Sequence, residues 1–151
     1  MTDQMDINPT LQRFEYPKLL VKEYQHWAVH LRRHQVTLGA LVLISKSHVT
    51  AWPAIGQDAF IELGHVTAAI EATLKSSFGY EKINYLMLMM NDPNPHFHTL
   101  PRYSQSKTFE GLTFEDPGWP KTPDLAAGSS LDDQQADALL AHLKAAWIDQ
   151  A

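Results

Sequence analysis

The part of the chain that most constrains its fold lies between residues 82 and 100, where two β-type segments flank a turn. Residues 82–90 are largely apolar and predict a strand, and residues 96–100 predict another. Residues 91–95 between them read Asn-Asp-Pro-Asn-Pro, which are turn-forming residue types. Two strands joined by so short a connection pair antiparallel, so this region predicts a β-hairpin.

Two histidines occupy the second strand of this hairpin. Alternate side chains of a strand point to the same face, so His96 and His98 project side by side, with Asn94 in line behind them. Such a pair is compatible with a hydrogen-bonded polar patch, with a metal site, or with nucleophilic catalysis by an imidazole nitrogen. The metal site requires further ligands, for which the sequence offers His30, His34, His48 and Asp92.

The remaining secondary structure follows from the spacing of apolar residues. Residues 18–24, 26–32 and 39–45 predict three more strands. The apolar positions of residues 58–78 have helical spacing, and Gly79 is placed to end that helix. Ser130 is a candidate cap for a second helix that reaches about residue 149. The sum predicts an α+β fold, an antiparallel sheet with one long inserted helix and a C-terminal helix.

The length of 151 residues predicts a single domain. Residues 1–12 lack a periodic pattern and are expected to be a flexible N-terminus. Residues 13–151 are expected to form the domain, including a proline-rich loop over 116–123 in which Trp119 anchors the loop on the body.

Composition narrows the classes of function. The formal net charge of −5 argues against nucleic acid as the main partner. The absence of cysteine excludes disulfides, thiolate zinc sites and cysteine nucleophiles. No apolar run is long enough to cross a bilayer, and the first residues lack the pattern of a signal peptide, so we expect a cytoplasmic protein with no membrane partner.

Two longer segments resemble the histidine triad (HIT) superfamily. Residues 90–103 resemble its signature, His-x-His-x-His followed by apolar residues and often ending Leu-Pro-Arg. Residues 36–49 resemble the family's strand that leads into a turn with the pattern Pro-Lys-x-His, here at Lys46 and His48. The resemblance covers roughly residues 25–105, and the order of strand, helix and hairpin is also that of the family.

The resemblance implies roles for individual residues. His96 matches the middle histidine, the family's nucleophile at the α-phosphate, and His98 matches the last one, which contacts phosphate. The first histidine of the triad is replaced by Asn94, which can donate and accept hydrogen bonds but cannot carry the charge of an imidazole. Arg32 falls near the family's nucleoside pocket, and its guanidinium could hold a phosphate or ribose oxygen, but a solvated strand end is the simpler and favoured interpretation.

Two further polar residues are candidates for substrate binding. Asn84 lies on the first strand of the hairpin and either faces the phosphates or forms an ordinary strand-edge hydrogen bond. Arg102 either faces phosphate or lies at the sheet edge. The connection over 91–95 is short and lacks the family's loop before the triad, which predicts a more open site on the side of the leaving group.

The resemblance implies a nucleotide hydrolase or nucleotidyl transferase that acts at the α-phosphate of nucleoside 5′-phosphate derivatives. Dinucleoside polyphosphates and nucleoside phosphoramidates are the expected substrates, through a nucleotidyl-histidine intermediate. The alternatives are a non-catalytic nucleotide-binding protein of the same fold and a histidine-based metal-binding domain. The expected assembly is a homodimer. No cofactor is required, and Mg²⁺ is expected only as the companion of a polyphosphate substrate.

Overall fold

The computed structural model describes residues 6–149 and has the predicted α+β architecture, with an antiparallel sheet and three α-helices. The elements in chain order are α1 (Pro9–Arg13), β1 (Leu20–Glu23), β2 (Trp27–Leu31), β3 (His34–Gln35), β4 (Leu41–Ser45), a short 3₁₀ helix (Trp52–Ile55), α2 (Gln57–Phe78), β5 (Lys82–Leu86), β6 (His96–Arg102), β7 (Lys107–Phe109), β8 (Leu112–Phe114), β9 (Ser129–Ser130) and α3 (Asp133–Ala146).

The main sheet has five strands in the order β1-β2-β4-β6-β5, and every neighbouring pair is antiparallel. The predicted hairpin is confirmed, because β5 pairs with β6 and Leu86 lies opposite His98. On its other side β6 pairs with β4, where Val42 lies opposite His98. Strand β6 is therefore hydrogen-bonded on both edges, which gives its side chains a rigid base.

One face of this sheet carries the main hydrophobic core, which α2 and α3 complete. The predicted helix over residues 58–78 is confirmed as α2, and it ends at Gly79, whose left-handed backbone (φ 62°) lets its N–H donate to the Lys75 carbonyl at 2.9 Å. Helix α3 starts later than predicted, since Asp132 rather than Ser130 caps it and the Gln135 N–H donates to the Asp132 side chain. The buried apolar residues of the core between the sheet, α2 and α3 include Trp27, Val29, Leu31, Leu41, Leu43, Val66, Ile70, Leu74, Leu139 and Leu143.

No helix within residues 6–149 combines the length and apolarity that a membrane crossing requires.

The N-terminal segment covers the other face of the sheet. Helix α1 is capped by Asn8, whose side-chain oxygen accepts from the Leu11 N–H at 2.8 Å and whose amide nitrogen donates to the carbonyls of Ser45 and Ser47, both at 2.7 Å. Ile7 and Leu11 are buried against a small cluster formed by Ala28, Val42 and Ile44.

This packing corrects the expectation of a flexible N-terminus over residues 1–12. Residues 7–12 are tied to β4 by buried hydrogen bonds and apolar contacts, so the expected boundary at residue 13 does not separate them from the sheet. Residues 1–5 lie outside the described part of the chain.

The first strand of the hairpin is shorter than predicted. Strand β5 stops at Leu86, whereas the sequence predicted a strand to residue 90. Met89 has a positive φ of 48°, which a continuous strand does not tolerate, and Met90 is exposed. The apolar character of these residues therefore does not reflect strand pairing.

Candidate active site

The two histidines of β6 lie next to each other on the sheet face that α1 partly covers. Their ring centroids are 5.3 Å apart and the ring planes are nearly perpendicular. His96 is buried, and His98 is half-buried. The arrangement agrees with the side-by-side placement that the strand periodicity predicted.

A hydrogen bond to the main chain fixes the orientation of the His96 ring. Its Nδ1 lies 2.8 Å from the carbonyl oxygen of Asn94. A carbonyl oxygen only accepts, so Nδ1 carries the proton and, in the neutral ring, Nε2 carries the lone pair. Within residues 6–149 no side chain or main-chain group hydrogen-bonds to Nε2, which is therefore available as a nucleophile or acceptor.

His98 has the opposite tautomer because of its contact with Arg32. The Arg32 Nε–H donates to His98 Nδ1 at 3.3 Å, so this nitrogen is the acceptor and Nε2 carries the proton. Burial, the nearby Arg32 charge and His96 lower the pKa of His98 to about 4. The ring therefore stays neutral at physiological pH, with one N–H free to donate.

Arg32 is held in place beside His98. Its Nη1 donates to the His34 carbonyl at 2.7 Å, and burial lowers the pKa of the guanidinium. The structure therefore corrects the simpler expectation that Arg32 occupies a solvated strand end, since it brings this charge against the histidine pair.

Phe14, at the end of α1, packs against both histidines. Its ring centroid lies 6.0 Å from that of His96 and 5.9 Å from that of His98. The Phe14 carbonyl accepts from His30 Nδ1 at 2.8 Å, and the His30 ring stacks on Tyr16. These contacts fix α1 over the site and limit the access of water to one side of the imidazoles.

Asn94 contributes to the site through its main chain, while its side chain is engaged elsewhere. Its Oδ1 accepts from Thr10 Oγ1 at 3.0 Å and from the Thr10 N–H at 3.3 Å, and its Nδ2 donates to the Val49 carbonyl at 3.0 Å. The side chain is buried and links α1 to the connection after β4. The bond that reaches the site comes from the main chain, where the Asn94 carbonyl accepts from His96 Nδ1.

Asn84 and Arg102 form a separate cluster. Arg102 Nη1 donates to Asn84 Oδ1 at 2.7 Å, while Nε and Nη2 donate to the two carboxylate oxygens of Asp116 at 2.7 and 3.1 Å. The side chains of Arg102 and Asp116 are only 4% and 1% exposed. These contacts are structural, since Arg102 anchors the loop that carries Asp116, and substrate binding by Asn84 and Arg102 stays a prediction.

The residues considered for a metal site are dispersed. His30 is bonded to Phe14, His48 Nε2 donates to the Asp6 carbonyl at 2.6 Å, and Asp92 pairs with Arg13. Within residues 6–149 no group of three or more histidine, aspartate or glutamate side chains is arranged to hold a metal ion. His34 also has both ring nitrogens engaged, with Ser130 Oγ and the Ala127 carbonyl.

Sequence reasoning missed three residues that shape the site: Phe14, Thr10 and Asp116. A local signal existed for the first two, because Asn8-Pro9 is a helix start with an N-cap residue and proline at the first helical position. The sequence contained no signal for the pairing of Asp116 with Arg102, since a charge pattern does not identify its tertiary partner.

Comparison with solved structures places the fold among histidine triad proteins. A histidine triad protein from Sinorhizobium meliloti superimposes with a TM-score of 0.67 at 18% identity, over 95% of this chain and 93% of that one. A hypothetical histidine triad nucleotide-binding protein from Sulfolobus tokodaii gives a TM-score of 0.63 at 18% identity, over 91% and 88%. A Hit-like protein from Bartonella henselae, described as involved in cell-cycle regulation, gives 0.64 at 17% identity, over 91% and 92%.

The sequence itself matches no family model and no curated protein. At identities below one fifth, the structural likeness demonstrates the fold alone. The chain therefore has the histidine triad fold, as the residues around His96 and His98 led us to expect.

Proposed function

We propose that the protein is a nucleotide hydrolase or nucleotidyl transferase that acts at the α-phosphate of nucleoside 5′-phosphate derivatives. The observation that carries this proposal is the pair of complementary tautomers. His96 directs a lone pair on Nε2 away from its anchoring carbonyl, and His98 offers an N–H on the adjacent position of the same strand face. One ring is thus suited to attack phosphorus, and the other to hold a phosphate oxygen.

The proposed reaction has two displacements. In the first, the His96 Nε2 lone pair forms a bond to the α-phosphorus, and the bond from phosphorus to the leaving-group atom breaks. That atom departs with the bonding pair and takes up a proton from solvent. In the second, a water oxygen bonds to phosphorus, the phosphorus–nitrogen bond breaks, and the electron pair returns to Nε2. The water proton passes to solvent and a nucleoside monophosphate is released. An acceptor alcohol or phosphate in place of water makes the same site a transferase.

His98 and Arg32 stabilise the charge that develops on the phosphoryl group. The neutral His98 donates from Nε2 to a non-bridging oxygen, and its low pKa keeps it in this form across the physiological range. Arg32 fixes the His98 tautomer, and its guanidinium nitrogen not used by His98 or His34 is available to phosphate. Asn94, which we propose occupies the first triad position, positions His96 through its carbonyl.

Turnover by matched variants tests the proposal. Purified protein is incubated with an adenosine 5′-phosphoramidate and with a dinucleoside tetraphosphate, and release of AMP is followed by chromatography. We expect release by the parent and by the His142→Ala variant, whose histidine is exposed on α3, and a loss of at least about 10³-fold in His96→Ala.

The two other outcomes separate the alternatives. If the protein binds AMP but does not turn over either substrate, it is a non-catalytic nucleotide-binding protein and not an enzyme. If the protein shows neither turnover nor AMP binding, the proposal as a whole is overturned.

We further propose that Mg²⁺ enters only with a polyphosphate substrate and that the chain forms a homodimer. Light scattering after size-exclusion chromatography measures the oligomeric state directly.

A further inference from the structure

A cavity lies beside the edge strand β5, and part of its lining shares the sheet face of the histidines. It is open to solvent and has a volume of about 780 Å³, which is in the range of small-molecule sites. One wall is formed by Lys82, Asn84 and Leu86 of β5 with Arg102 of β6, and the other by residues 119–123. We refer to it as the β5 cavity.

The β5 cavity begins next to the candidate active site. Its lining includes neither His96 nor His98, but Leu86 lies directly opposite His98 in the β5-β6 pairing and also lines the cavity. Directly opposed side chains on one sheet face have their Cβ atoms about 5 Å apart. A substrate held at the histidines therefore needs to extend by only one strand to enter the β5 cavity.

The charge of the β5 cavity is opposite to that of the whole chain. The protein has 12 basic and 17 acidic residues, yet the cavity lining contains three basic side chains and no acidic one. Asp116 neutralises the Arg102 guanidinium from behind. Lys82 and Lys121 have no ion-pair partner among residues 6–149, so their ammonium groups remain available to an anion.

The wall formed by residues 119–123 carries an indole ring, on which a planar ligand can stack. The Trp119 side chain is half-buried and lines the cavity, and the main-chain N–H of this residue donates to the Asp116 carbonyl at 3.1 Å. The Asp116 side chain in turn accepts from Arg102 and from the Tyr103 N–H. At Gly118 a Cβ atom would lie 2.2 Å from the Thr122 carbonyl oxygen, so the tight path of this loop requires glycine. The indole is thereby placed on a fixed loop.

We propose that the β5 cavity binds the leaving group of the substrate, and that this group is a nucleoside polyphosphate. Its phosphates lie against Lys82 and Lys121, and its base stacks on Trp119. This inference rests on the proposed function and makes it more specific, since it selects dinucleoside polyphosphates over phosphoramidates with a small neutral leaving group. The cavity thus supplies the leaving-group contacts that the short connection over 91–95 does not.

A comparison of two substrates tests the assignment, because both transfer the same adenylyl group. The dinucleoside tetraphosphate has a leaving group that reaches the β5 cavity, and adenosine 5′-phosphoramidate has one that does not. We expect the double variant Lys82→Ala/Lys121→Ala to lower kcat/KM about tenfold for the first substrate and to leave it unchanged for the second. Trp119→Leu is expected to act the same way, with a loss of about tenfold. Lys144→Ala, which changes the same charge on α3, is the control.

Each outcome distinguishes the cavity from the chemistry. Equal losses for both substrates, or no loss for either, would overturn the leaving-group assignment while leaving the histidine chemistry intact. If the parent turns over neither substrate, the proposed function fails, and the cavity is judged by calorimetric binding of ATP. If ATP binding weakens about tenfold in the double lysine variant but not in Lys144→Ala, the β5 cavity is still a nucleoside polyphosphate site. Unchanged binding would reject it.

Discussion

Removal of the Asn94 side chain is predicted to lower the free energy of unfolding of the protein and to have little effect on its catalytic rate. It forms three buried or partly buried hydrogen bonds, two from Thr10 at 3.0 and 3.3 Å and one to Val49 at 3.0 Å. Each such bond contributes about 1 kcal/mol net, and the 3.3 Å contact less. Asn94→Ala should therefore lower the free energy of unfolding by about 2–3 kcal/mol, or the melting temperature by about 4–12 °C.

The same geometry predicts that restoring a histidine at this position will not raise activity. An imidazole ring nitrogen accepts one hydrogen bond, whereas Asn94 Oδ1 accepts two from Thr10. Asn94→His should lower stability about as much as Asn94→Ala, by about 2–3 kcal/mol, and should not increase kcat. The main-chain carbonyl that orients His96 is present in both variants, so the remaining folded protein should retain most of its turnover.

Urea unfolding followed by tryptophan fluorescence measures the loss, with kcat determined at a temperature where each variant is folded. Asn91→Ala is the matched control, because this asparagine is exposed in the same connection and its loss should cost under about 0.5 kcal/mol. An Asn94→Ala variant as stable as the parent, or an Asn94→His variant more active than it, would refute the reasoning.

Three other predictions follow from the contacts of the site. The low pKa of His98, about 4 against an ordinary 6.5, means that protonation favours the unfolded chain. The parent should therefore lose about 1–2 kcal/mol of stability relative to His98→Gln as pH falls from 6.5 to 4. Urea unfolding measures this, and an equal change in the free energy of unfolding of the two proteins over this pH range would contradict it. Arg32→Ala should lower kcat/KM about 10- to 100-fold and raise the pKa of His98 in an NMR titration. Arg33→Ala, whose side chain pairs with Glu15, should do neither. Asp116→Ala should cost about 3–5 kcal/mol in urea unfolding by leaving Arg102 buried without its partner, and adding Arg102→Met should recover part of that loss, while no cost in the single variant would refute the buried pair.

The elements that the sequence predicted well are those with a strong local period. Helix α2 is long enough for its apolar stripe to be read directly, and Gly79 marks its end. The alternation around His96 and His98 places both rings on one strand face without reference to any other part of the chain. Local patterns of this kind predict the folded structure because neighbouring strands and helices pack against the faces that the patterns define.

The features that the sequence did not predict depend on distant partners. Helix α1 has only five residues, which is too short for a periodic pattern, and it is held by bonds to Ser45, Ser47 and Asn94 far along the chain. The bond between Arg32 and His98 joins residues 66 positions apart. Such contacts arise from the order of strands in the sheet, which no local pattern of residues specifies.

The covalent intermediate provides the most direct test of the central claim. Parent protein is mixed with the dinucleoside tetraphosphate, quenched rapidly at a pH that preserves a phosphorus–nitrogen bond, and examined by intact and peptide mass spectrometry. The account predicts a nucleotidyl group on the peptide that contains His96, absent from His96→Ala, and formed and lost at rates that match turnover. Turnover without this adduct, or an adduct that persists in His96→Ala, would contradict the assignment of His96 as the nucleophile.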